Sequence, residues 1–131
     1  MTEDFLHHLW KFRKFNQINL KTISGDDIKL VHPGIHNYDA GADFQGAKMY
    51  IGEQLWAGAV EIHVKSSDWF KHRHETNDAY KNVVLHVVYE NDLGIEKQPQ
   101  KGKLPTLELK GLFDEHAYWR YEQLLGQEGN I

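Results

Sequence analysis

The sequence predicts an α+β domain: a mixed central sheet with a β-hairpin and flanking helices. Three observations carry this: an amphipathic apolar pattern at the start, two strand-like runs split by a short Gly-containing connection in the middle, and a β-branched run followed by a further strand and a helical pattern. At 131 residues the chain suits one domain spanning residues 1–131.

Thr2, followed by Glu3 and Asp4, reads as an N-cap with an acidic first turn. Phe5, Leu6, Leu9, Trp10 and Phe12 then recur at near-helical spacing, which predicts a helix over residues 3–15. A short strand is expected at Ile28 to Val31, followed by a loop from Asn37 to Gly41. Residues 47–51 and 55–65 read as an antiparallel pair joined through Gly52-Glu53-Gln54. Ser66-Ser67-Asp68 offers caps to a short helix through Trp69 and Phe70. The run Val83 to Tyr89 suits a strand covered on both faces, with His86 as its one polar exception. A surface loop from Asn91 to Lys103, a strand at Thr106 to Leu109 and a helix over residues 112–125 complete the pattern. Of Trp10, Trp56, Trp69 and Trp119, most are expected to pack in the core.

A hydrophobic content of 40% with 26% charged residues argues against a disordered or fibrous chain. With no cysteine, disulfides, thiolate zinc sites, iron–sulfur clusters and a cysteine nucleophile are excluded, so a metal would need His, Asp, Glu or carbonyl ligands. No organic cofactor is indicated. A net charge of −4 gives no global attraction to nucleic acid and leaves a local basic groove open. No apolar run approaches the roughly 20 residues that span a bilayer, and the N-terminus is acidic where a signal peptide is basic. A cytoplasmic protein with no membrane partner is expected.

The most informative segment is Val60-Glu61-Ile62-His63-Val64-Lys65. Strand periodicity sends Val60, Ile62 and Val64 to one face of a central or near-central strand, and Glu61, His63 and Lys65 to the other. Such a polar face is either solvated, with cross-strand charge pairs, or functional. Asp43 precedes the hairpin, which brings its carboxylate back beside Glu61. Asp43 and Glu61 are then candidate ligands for Mg²⁺ or Mn²⁺, with Lys65 assisting an attacking water and His63 a further candidate ligand. His72, His74 and His86 are weaker metal candidates, and His32 and His36 lie near the Asp43 loop.

An acid at the head of a hairpin, followed by a second acid and a lysine on the next strand, resembles the PD-(D/E)xK nuclease superfamily. That resemblance implies a restriction-endonuclease-like fold and metal-dependent cleavage of nucleic acid by Asp43, Glu61 and Lys65. The sequence departs from the pattern in two places: Ala42 stands where a proline usually precedes the first acid, and His63 stands where the second acid usually does, one residue separating it from Lys65, with Glu61 two residues further back. Either Glu61 has migrated along the face, His63 has become a ligand, or the likeness is superficial and the site inactive. A wider resemblance is carried by Gly41-Ala42-Asp43-Phe44, Trp56-Ala57-Gly58, Val60 to Trp69, Ala79-Tyr80-Lys81-Asn82 and Leu85-His86-Val87-Val88. These words resemble a bacterial domain-of-unknown-function family of longer proteins, which implies that the chain is an N-terminal portion and that its absent C-terminal region is a partner. The competing reading is a non-catalytic binding or scaffolding domain whose polar strand face contacts a partner or that region.

Overall fold

In the computed structural model, which describes residues 1–71 and 77–128, the side chain of Thr2 accepts the amide of Phe5 at 3.2 Å and starts helix α1, Glu3–Lys11. The helix stops four residues earlier than its apolar pattern predicts. Arg13 takes a positive φ of 54°, and the chain turns so that Phe15 stacks on Trp10 at 5.9 Å. The buried stripe of α1 is Phe5, Leu6, Leu9 and Trp10, and the Trp10 indole donates to the Pro33 carbonyl at 2.9 Å.

Six strands form one mixed sheet: β1 (Ile28–His32), β2 (Ile35–His36), β3 (Phe44–Ile51), β4 (Gln54–Lys65), β5 (Val83–Glu90) and β6 (Thr106–Glu108). The order is β1-β3-β4-β5-β6, with β2 also pairing β3. β3 and β4 make the expected antiparallel hairpin, and β4–β5 and β5–β6 are parallel. Helices α2 (Asp68–Lys71) and α3 (Glu115–Glu128) complete the set, with the 91–103 connection wound into two 3-10 turns. β2 was not expected, being only two residues long, and α3 begins three residues later than its pattern suggests.

β4 is the central strand and is covered on both faces. Val60 and Ile62, with Leu85, Val87, Leu107 and Leu109, pack against α1, and Tyr118 and Tyr121 of α3 close over Phe5. On the other face Ala59 and Val83 meet Trp69 of α2, Leu104 and Tyr80. This second layer overturns the reading of a solvated polar face: Glu61 is 4% and His63 1% exposed, while Lys65 at the strand end is exposed. Two tryptophans also depart from expectation, since Trp56 and Trp119 are exposed while Trp10 and Trp69 are fully buried. Among the described residues no helix is long and apolar enough to cross a membrane.

Candidate active site

The site forms where β3 parts from β4. Phe44↔Val60 is the last residue pair of the hairpin, and a bulge lies between Phe44 and Ala47, where Gly46 takes a φ of 71° that side-chain-bearing residues rarely adopt. Beyond that pair the Ile62 amide has no ladder partner on β3. The Asp43 carboxylate takes its place, accepting from the Ile62 amide at 2.7 Å, while the Asp43 amide donates to Glu61 Oε1 at 3.2 Å. The two acids selected from the sequence are therefore brought together, and the hairpin is the reason.

Their environment divides them. Burial pushes the Glu61 carboxyl up, and the Asp43 hydrogen bond and charge push it further, to about 10. Burial also works against the Asp43 carboxylate, but hydrogen bonds from His7 and Glu61, the charge on His7 and the Ile62 amide together hold it below its ordinary value. At neutral pH the pair is one carboxylate and one carboxylic acid sharing a proton.

Three groups around the pair were not singled out in the sequence. His7 of α1 places Nε2 3.5 Å from Asp43 Oδ1. Glu3, one helical turn earlier on the same side of α1, adds repulsion that also raises Glu61. Tyr80 faces the pair from the opposite layer; its hydroxyl is pushed up by burial and by the charges of Glu61 and Asp43. The only sequence signal was the four-residue spacing of Glu3 and His7, which is ordinary in any helix.

Behind the acids lies a buried imidazole pair. His63 Nε2 is 3.6 Å from Glu61 Oε2, and its Nδ1 is 2.8 Å from His86 Nε2. Both rings lie edge-on to Trp69. His86 is thus joined to the acids through His63, in a continuous line of Asp43, Glu61, His63 and His86. Lys65 stands apart. It lies four residues beyond Glu61, about 13 Å along the strand, beside Glu90 of β5, and its amide donates to Asp68 Oδ2. His36 stacks on Phe44 and touches His7, whereas the exposed His32, at the end of β1, accepts the Gly34 amide. The candidates His72 and His74 lie outside the described residues. Among the described residues no three His, Asp or Glu side chains converge as a ready-made ion cage.

A family model described as "Protein of unknown function (DUF2851)" matches residues 3–131. The chain belongs to the DUF2851 family. No curated protein and no solved structure matches it. The match covers every element that positions the acid pair and its neighbours, from Glu3 and His7 on α1 to His86 on β5.

Proposed function

We propose that this domain is a divalent-cation-dependent phosphodiesterase acting on nucleic acid in the bacterial cytoplasm, with Asp43 and Glu61 as the carboxylate ligands of Mg²⁺ or Mn²⁺. The observation that carries this reading is the direct pairing of half-buried Asp43 with buried Glu61. Two acids this close keep one proton between them, and a hard cation satisfies the same oxygens while displacing that proton. Mg²⁺ needs only one or two protein carboxylates, its remaining positions being filled by water and phosphate, so two acids suffice. The ion would supply a polarised water and offset charge on the phosphate.

The chain's own groups then divide the remaining work. The proton displaced from the pair would leave to solvent, so His63, 3.6 Å from Glu61, stays free to take a proton from the attacking water, and His86 steadies the His63 ring through the 2.8 Å bond. His63 is nearer the pair than Lys65, so the activating role that the resemblance gives to lysine falls to His63, with Lys65 at the solvent end of the same strand face. The order of helix, hairpin, short helix and further strand supports the likeness to the PD-(D/E)xK superfamily.

Calorimetric titration with Mn²⁺ at pH 7, in two buffers of different ionisation enthalpy, tests this. Weak binding with release of close to one proton is expected, lost in Asp43→Ala and Glu61→Gln. No binding at millimolar Mn²⁺, together with an Asp43→Ala variant indistinguishable from wild type on DNA and RNA, overturns it. One observation favours the second reading, a non-catalytic binding or scaffolding domain: the Asp43–Glu61 pair also works as a clasp that satisfies the Ile62 amide where the hairpin opens.

A further inference from the structure

A second feature adjoins the acid pair: a cleft of about 210 Å³ between α1, the loop after β2 and α3. Its walls are rings. Six of its eight lining residues are aromatic or imidazole: His7, His8, Phe12, His36, Tyr38 and Tyr121. Two of these rings lie open to solvent, Tyr38 at 80% and Phe12 at 55% exposure. Tyr38 leans over His36 with ring centres 4.1 Å apart, and His36 in turn stacks on Phe44 at 4.7 Å, so the outermost ring stands on a supported column. On the opposite wall His8 lies 5.1 Å from Phe12 and 5.2 Å from Tyr121.

The charge in the cleft argues against a site for a free anion. Its Asp4 and Lys11 offset each other, and His7 turns its Nε2 to Asp43 at 3.5 Å. Burial lowers His8 and His36, helped by Lys14 for the first and by His7 for the second, so both imidazoles are neutral at physiological pH. What remains is a set of flat, uncharged faces, suited to a planar ring. The volume lies below the roughly 300 Å³ at which pockets for drug-sized ligands begin, so it takes one ring system rather than a large ligand.

We propose that this cleft is a stacking site for an unpaired nucleobase, so that the substrate is single-stranded nucleic acid or a nucleotide extruded from a duplex. Bases within a duplex hide both faces, and only an unstacked base can enter between Tyr38 and the Phe12–His8 wall. Lys11, whose ammonium lies 5.5 Å from the Phe12 ring centre, is placed to meet the backbone of a nucleotide seated there. His7 lines the cleft and also reaches Asp43 at 3.5 Å, so a base held in the cleft sets its own phosphodiester beside the acid pair. The assignment of substrate rests on the phosphodiesterase reading; the stacking itself needs no ion.

The experiment uses the full chain in EDTA and follows fluorescence anisotropy of a labelled oligothymidylate, an abasic oligomer of the same length, and the matching duplex. Stacking contributes about 1–3 kcal/mol per base, so the abasic strand should bind about 5- to 150-fold more weakly, and the duplex should also bind more weakly. Tyr38→Ala should lose a similar factor and Tyr38→Phe should retain wild-type affinity; Tyr38 is solvent-exposed, so the fold is kept. Equal binding of base-bearing and abasic strands, unchanged affinity in Tyr38→Ala, or no oligonucleotide binding at all overturns the proposal. Because EDTA removes the cation, these results stand apart from the Mn²⁺ titration. Base-dependent binding without Mn²⁺ uptake supports the cleft and sinks the phosphodiesterase, and Mn²⁺ uptake without base-dependent binding does the reverse.

Discussion

The backbone amide of Asp43 donates to the Glu61 carboxyl at 3.2 Å, while the Asp43 side chain caps the next amide of the same strand, that of Ile62, at 2.7 Å. One residue therefore both closes the end of the hairpin and fixes the position of its neighbouring acid. This double role makes the electrostatics of the pair readable through stability.

Glu61→Gln should become steadily more stable relative to wild type as pH rises. Glu61 has a folded-state pKa of about 10, raised above its ordinary 4.5. A raised carboxyl contributes stability that is fully present below pH 4.5 and lost progressively as pH climbs toward 10. Gln mimics the protonated form and does not titrate, so its advantage grows by up to roughly 1.4 kcal/mol per pH unit. Asp43 is lowered, and its own loss falls at acid pH, below its ordinary 3.8. Urea unfolding of both proteins from pH 5 to 9 checks this, and parallel pH profiles would disprove it.

His63 and His86 should be strongly coupled. Replacing a satisfied pair by apolar groups is often nearly neutral, whereas removing one partner orphans the other. With both rings buried, His86→Leu alone should cost about 1–3 kcal/mol, because His63 Nδ1 loses its 2.8 Å partner. The double Leu variant should cost less than the sum of the singles. A double-mutant cycle by chemical denaturation measures the difference, and simple additivity would remove the coupling.

Gly58→Ala should destabilise the sheet by about 1–3 kcal/mol. An added Cβ would lie 2.6 Å from Val84 Cγ1 and 2.7 Å from the Asn82 carbonyl oxygen, and that carbonyl accepts the Ala59 amide at the start of the parallel β4–β5 pairing. The backbone oxygen cannot move aside without breaking that bond. Thermal unfolding is the check; an unchanged midpoint would mean that the two strands have room to separate.

What was legible in the sequence follows from how local each signal is. Leu6, Leu9 and Trp10 announce α1 because the helical period needs only neighbouring residues, and the alternation from Val60 to Lys65 announces the two faces of β4 for the same reason. The meeting of Asp43 and Glu61 was legible because a hairpin is the shortest non-local connection. The burial of Glu61 and His63 was not, because the covering layer comes from Trp69 and Tyr80, which reach β4 only through the parallel crossover to β5. His7 was hidden for a similar reason: its role depends on where α1 crosses the open end of the hairpin, which no spacing within the helix encodes.

The sharpest test of the chemistry compares His63 with Lys65. Both share a face of β4, but His63 touches Glu61 at 3.6 Å and Lys65 stands about 13 Å further along at the exposed end, beside Glu90. A lysine stem of about four methylenes reaches only part of that distance, so the nearer base to a water at the acid pair is His63. With Mn²⁺ and a single-stranded oligonucleotide, Asp43→Asn should abolish cleavage. His63→Gln should lower kcat by about 10²- to 10⁴-fold, the usual worth of a proton-transfer group, while leaving Mn²⁺ uptake in place. Lys65→Ala should change kcat by far less than that lower bound of about 100-fold. The opposite ranking, with Lys65→Ala inactive and His63→Gln near wild type, would return the role to the lysine and require the end of β4 to fold back over the pair.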